Sequence, residues 1–184
     1  MQKYLLFLLP ALFAGLLAPA QSLRGLDKSP LDIAYFPDNF APDRKAGEAG
    51  VVKVTYSRPQ KNGRDLFGAK VPYGKVWRTG ANESTEIKVY QDITFGGKTL
   101  KAGTYSLFSL PGEQEWEIIL NADLDYWGAY SSNAENDLLR VAVPAISTEE
   151  TVEAFTIQFQ AGEAGQARMI LAWDQTRVEV QIGF

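Results

Sequence analysis

Ala167-Arg168-Met169-Ile170-Leu171-Ala172-Trp173-Asp174-Gln175-Thr176-Arg177-Val178-Glu179-Val180-Gln181-Ile182 is the stretch whose reading decides the fold. Ala167, Met169, Leu171 and Trp173 share one face of a pleated strand. Asp174-Gln175-Thr176 then reads as a reversal, after which Val178, Val180 and Ile182 alternate with Arg177, Glu179 and Gln181. Successive side chains of a strand point to opposite faces, so a period of two with an apolar side marks half-buried strands.

The same period runs upstream. Val52, Val54 and Tyr56 alternate with Lys53, Thr55 and Ser57, and Ile87 and Val89 alternate with Glu86, Lys88 and Tyr90. Trp116, Ile118 and Leu120 share a face, as do Leu139, Val141 and Val143 before Pro144, and Phe155, Ile157 and Phe159. Phe95-Gly96-Gly97-Lys98 is a hairpin signal, because the two central residues of a type I′ turn need positive φ. Ser147-Thr148-Glu149-Glu150 has the spacing to cap one helical turn. No stretch carries a sustained 3.6-residue period. The expectation is an all-β fold: a single antiparallel β-sandwich or jelly-roll-like domain of about nine strands over residues 51–184. Residues 21–50, with Tyr35, Phe36 and Phe40 among turn signals, read as an N-terminal arm or linker, an arm that docks over the sandwich being favoured over a disordered linker.

Residues 1–20 read as a secretory signal. Lys3 precedes a nearly unbroken apolar run over residues 4–17, and Ala18-Pro19-Ala20 supplies small residues for cleavage near Gln21. That run is too short for a spanning helix, which needs about 20 apolar residues. The mature chain is thus expected to be exported, secreted or periplasmic, with no membrane span after cleavage.

Composition removes several function classes. The chain of 184 residues carries 18 Lys and Arg against 22 Asp and Glu, net −4. That acidity argues against nucleic acid, whose binders present a basic stripe. There is no Cys and no His. Thiol nucleophiles, zinc–thiolate sites, Ser-His-Asp triads and imidazole bases are therefore excluded. No cofactor is expected, and no metal site is assigned.

Several segments together carry a family likeness. They are Tyr56-Ser57-Arg58-Pro59, Gly63-Arg64-Asp65-Leu66-Phe67-Gly68, the run over residues 72–85, Ala102-Gly103-Thr104-Tyr105, Trp127-Gly128-Ala129-Tyr130 and Leu171-Ala172-Trp173-Asp174. With these the chain resembles domain-of-unknown-function family 2911, small secreted bacterial proteins, over about residues 51–182. The resemblance implies a signal peptide and a β-rich fold. It brings no activity and no catalytic residue.

Site residues are read from the two long irregular segments, 58–85 and 121–137. Pro72-Tyr73-Gly74-Lys75-Val76-Trp77-Arg78-Thr79-Gly80-Ala81-Asn82-Glu83-Ser84-Thr85 concentrates cations, hydroxyls and aromatics in a loop. Trp77, Trp127 and Tyr130, with Tyr73 and Tyr126, offer flat apolar faces suited to sugar rings. Arg58, Lys75 and Arg78, with Arg64, offer charged donors for carboxylate, sulfate or phosphate, and Asn82 and Glu83 can orient hydroxyls. These residues point to a glycan or small anionic ligand. Against that stands a packing role, with Trp77 and Trp127 as corner plugs and Arg78 paired internally with Glu83. A carboxylate pair of Glu83 with Asp123 or Asp125 would suit a polysaccharide hydrolase. Tyr130 or Lys75 as base beside Arg78 would suit a lyase. Asn121-Ala122-Asp123-Leu124-Asp125 fits either calcium or an Asx turn, the turn being favoured. A cell-envelope assembly module acting through a sheet edge is the remaining alternative. The sequence sets no oligomeric state.

Overall fold

A computed structural model describes residues 23–184; the expected signal segment lies outside the described residues. The alternating segments form β2 (Val52–Ser57), β3 (Thr85–Val89), β6 (Gly103–Leu110), β7 (Glu115–Asn121) and β8 (Asp137–Pro144). They join β1 (Leu31–Phe36) in a six-stranded antiparallel sheet of order β1-β2-β3-β6-β7-β8. The second sheet has the order β5-β4-β10-β9 and is built from β4 (Ile93–Phe95), β5 (Lys98–Leu100), β9 (Ile146–Ala161) and β10 (Gln166–Gly183). Each apolar face needs a partner, and the two sheets supply it to each other. Val54, Tyr56, Ile87, Leu107, Ile118 and Val141 on one side and Phe155, Ile157, Met169, Leu171 and Val180 on the other are all buried. Gly96 and Gly97 take φ of +56° and +79°, turning β4 into β5 as their pairing anticipates. A four-residue helical turn, α1 (Phe40–Asp43), and a short 3-10 turn over Ala134–Asn136 are the helical segments among the described residues. None is long and apolar enough to cross a membrane.

Three local readings change. The expected arm contains β1, which pairs with β2 from Leu31↔Ser57 to Phe36↔Val52 and forms a sheet edge. Ser147-Thr148-Glu149-Glu150 is not helical, because β9 already runs through it and Ser147 pairs with Thr176. Asp174-Gln175-Thr176 does not reverse the chain. β10 continues through it, with register shifts on either side of Asp174, whose φ is +54°. Trp173 and Val178 both face the core yet stand five positions apart, so the alternation changes parity across the irregularity at Asp174. The described residues form ten strands, against the expected nine or so.

The corner between β2 and β9 is closed by side chains and one short antiparallel bridge, Gln60↔Ala154, just beyond β2. The Tyr56 hydroxyl donates to the Ile157 carbonyl (3.1 Å) and accepts from the Ile157 N–H (3.0 Å). Arg58 donates Nε to the Phe155 carbonyl (3.1 Å), Nη2 to Thr156 Oγ1 (2.8 Å) and Nη1 to Asp32 on β1 (2.9 Å). Phe155 N–H reaches the Pro59 carbonyl, and Lys61 N–H the Glu153 carbonyl. The outward peptide groups of β9 at Phe155 and Ile157, and the Glu153 carbonyl, are thus satisfied.

Tyr56→Phe would strand two buried peptide groups, and we expect it to lower stability by about 1–3 kcal/mol, read as a shift of the urea midpoint. Burial raises the Tyr56 phenol above its usual value, with the bond to Ile157 opposing the rise. Its neutral form is therefore favoured in the folded state. This stabilisation is full below about pH 10, where an unfolded tyrosine titrates, and fades as pH climbs through the raised folded value. Absorbance titration of phenolate should find one phenol ionising above the usual tyrosine range, and Tyr56→Phe should remove that component.

Candidate functional site: a cationic cleft and its neighbour

The loop at residues 77–85 is held by the core at one end. Trp77 N–H donates to the Ser109 carbonyl (2.7 Å) and Ser109 N–H returns the bond (2.9 Å), so Trp77 extends the line of β3 along β6. Next comes Thr79, buried and at φ +55°, a conformation a β-branched residue adopts only under constraint. The constraints are visible. Its hydroxyl meets that of Ser109 at 2.6 Å, and its carbonyl accepts from the Thr85 hydroxyl at 2.7 Å. Trp77 Nε1 donates to the Gly80 carbonyl (3.1 Å), and Asn82 turns the chain again at φ +60°. Arg78 therefore projects from a loop whose backbone is fixed on both sides.

The second loop is knitted to the first. Ser84 N–H donates to the Tyr126 carbonyl (2.8 Å), Gly128 N–H donates to the Asn82 carbonyl (3.0 Å), and Glu83 and Trp127 form an antiparallel bridge. A side chain at position 128 would collide with the Tyr130 ring at 2.7 Å and crowd the Arg78 guanidinium, so glycine there allows their close approach. Within this loop Asp123 accepts from Tyr126 Oη and Asn136 Nδ2, both at 2.7 Å. Those bonds, Asn136 first, hold its carboxyl below the usual range. The Asn121–Asp125 segment is wired as a turn: Asn121 Nδ2 reaches the Asn133 carbonyl and Asp137, and its Oδ1 receives Asp123 N–H.

Between the loops opens a cleft of about 410 Å³. Its apolar wall is the edge of an aromatic cluster. Trp77 and Trp173 stack at 5.9 Å and 12°, and Phe67, Trp116 and Phe155 pack against them edge-on. Its polar wall is Arg64, Lys70, Arg78 and Asn82, with Tyr130 at the mouth. Among the described residues lining it there is no carboxylate. None of the three cations forms an ion pair with another described residue. Arg78 Nε is buried without a hydrogen-bond partner. Arg64 is anchored by donating Nε to the Lys61 carbonyl (2.8 Å) and Nη2 to the Gln60 carbonyl. A second cleft of about 240 Å³ adjoins the first, sharing Ser29 and Asn82, and is lined also by Arg24, Asp27, Leu31, Glu83 and Trp127.

The residues singled out from sequence divide accordingly. Trp77, Arg78, Asn82 and Tyr130 meet in the first cleft; Glu83 and Trp127 meet in the second. Arg58 lies at the β2–β9 corner with all three guanidinium nitrogens engaged, and Lys75 is exposed outside both clefts. The two tryptophans part company, Trp77 being 9% exposed and Trp127 64%. The Arg78–Glu83 pair considered above is not formed. Lys70, Trp173 and Ser29 had not been picked out. Trp173 was read only as core, which it also is, and Ser29 arrives from outside both loops with no local signal.

A family model described as Protein of unknown function (DUF2911) matches residues 42–182. The chain belongs to this family. The DUF2911 match takes in both long loops, β2 through β10 and every cationic side chain of the first cleft, while Arg24, Asp27, Ser29 and β1 precede it. No curated protein and no solved structure matches the chain.

Proposed function

We propose that this DUF2911 protein is an exported, bacterial binding domain that takes a small anionic ligand, foremost an acidic sugar, in the cleft between its two long loops. One observation carries the reading. Three cations, Arg64, Lys70 and Arg78, line one cleft without a lining carboxylate, in a chain whose net charge is −4. Uncompensated like charges repel, and an anion among them relieves the repulsion and accepts charge-assisted hydrogen bonds from the cationic side chains. The stacked indoles beside the cations add an apolar wall for a ring. The hydrolase reading has less support, since Asp123 is spent on Tyr126 and Asn136.

Calorimetry of the mature chain with glucuronate, sulfate and phosphate tests the reading. Binding should weaken as salt rises. Arg78→Ala should lose about 10–100-fold in affinity, the worth of one charge-assisted donor pair at ~1.5–3 kcal/mol, with thermal unfolding unchanged. No heat with any of the three anions, or undiminished affinity in Arg78→Ala, overturns it. Export rests on the N-terminal pattern, and sequencing of the protein recovered outside the cytoplasm should begin near Gln21.

A further inference from the structure

The two adjoining clefts differ in charge and in wall, and the difference bears on what a ligand longer than one ring would look like. The first is wholly cationic among its described charged residues: Arg64, Lys70 and Arg78. The second offers Arg24 against Asp27 and Glu83, so its charges are mixed and incline to negative. Asp27 is held in place, accepting from Ser29 N–H at 2.7 Å and Asn82 Nδ2 at 3.1 Å. Those two bonds, Ser29 first, keep its carboxyl below the usual range, so it stays charged near neutrality. A second anionic group placed there would meet two carboxylates.

What the second cleft does offer is an indole face. Trp127 is 64% exposed although its backbone is fixed by the bridge to Glu83. Tyr130, 83% exposed, stands three residues on, at the mouth of the first cleft. A large aromatic held rigidly in water forfeits its burial, and it regains that by covering a flat apolar surface. Around it Asp27, Ser29, Asn82 and Glu83 present acceptors and donors at the rim. A pyranose has that form: apolar C–H faces and a hydroxylated edge. Ser29 and Asn82 border both clefts, so the two lie side by side with polar side chains common to both.

We infer that the site takes an oligosaccharide in which an acidic unit is joined to a neutral one, the acidic unit among Arg64, Lys70 and Arg78 and the neutral unit on Trp127. The inference rests on the anion reading above and adds to it a second subsite, a charge order and a minimum ligand of two units.

The test compares four probes by calorimetry on the mature chain: glucuronic acid, an aldobiuronic acid (glucuronic acid linked to a neutral hexose), digalacturonic acid and cellobiose. The aldobiuronic acid should bind about tenfold more tightly than glucuronic acid, and digalacturonic acid should gain much less. The readout is the ratio of Kd for the acid monomer to Kd for the mixed disaccharide. Trp127→Ala should collapse that ratio to near one, and Trp127→Phe, which keeps a ring, should retain most of it. A ratio near one in the parent, a ratio that survives Trp127→Ala, an equal gain from digalacturonic acid, or cellobiose binding as tightly as the mixed disaccharide each overturns the second subsite while the anion reading stands. Failure of all three acidic probes to bind overturns the second subsite, and the anion reading falls with it only if sulfate and phosphate also give no heat.

Discussion

Phe155→Ala should cost the fold about 3–5 kcal/mol, the range for removing a large aromatic from a packed core. Phe155 is fully buried and touches both sheets: Tyr56 edge-on at 5.8 Å, Trp77 at 5.1 Å and Trp173 at 6.0 Å. Its neighbours are a stack of indoles and a phenol whose hydroxyl is committed to Ile157, none of which can slide into the space left. A domain stable by roughly 5–15 kcal/mol would lose a large share of that margin. Urea unfolding should show a much lower midpoint at unchanged slope, and anion affinity should fall with it, since Trp77 and Trp173 form the wall of the cleft. A loss below about 1 kcal/mol, less than a typical core truncation, would mean that the cluster is not packed as described.

Gly96→Ala is the second large effect, and it acts by overfilling. A methyl at position 96 would lie 2.2 Å from Val141 Cγ1 and 2.8 Å from its Cγ2, at a φ of +56°. Val141 belongs to β8 of the opposite sheet, so the glycine lets the β4–β5 turn close against the core. We expect about 1–3 kcal/mol from overpacking and about 1–2 kcal/mol from the left-handed backbone. Gly97→Ala isolates the second contribution, because at φ +79° it has nothing within 4 Å. The difference between the two variants measures the clash. Adding Val141→Ala to Gly96→Ala should recover part of it, giving a coupling that the same change paired with Gly97→Ala lacks.

These residues also show what the sequence made legible. Alternation located the inner faces because burial on one side imposes a period of two, and Phe155, Ile157, Val141 and Met169 follow it. The double glycine fixed a turn because only positive φ fits there. Alternation failed where covering comes from elsewhere. Phe108 and Ile119 point away from the inner face yet are buried beneath the second loop, where Tyr126 lies 6.0 Å from Phe108. It also failed at Asp174, since a bulge and a turn leave the same break in parity. In the site, the loops were legible as clusters of chemistry, and their meeting rests on backbone bonds such as Gly128 to Asn82 that no composition announces. Arg58 looked like its neighbour Arg78, but the strand edge opposite it, nearly a hundred residues later in the chain, decides its role.

The order of the strands has a consequence for synthesis. All six strands of the larger sheet have emerged once Pro144 is made, whereas the strands that cover its inner face, β9 and β10, follow it in the chain. A growing chain must therefore carry an open apolar sheet until the C-terminal hairpin arrives, a species prone to aggregate unless held. The hairpin itself closes over only residues 162–165, so its loop entropy is small and it can form as soon as it is released. Even β4 and β5 depend on it, because β4 finds its sheet partner in Ile182 and Gly183. Closure of this sandwich thus waits on β10, and a chain cut short of that strand leaves the inner face of the larger sheet uncovered.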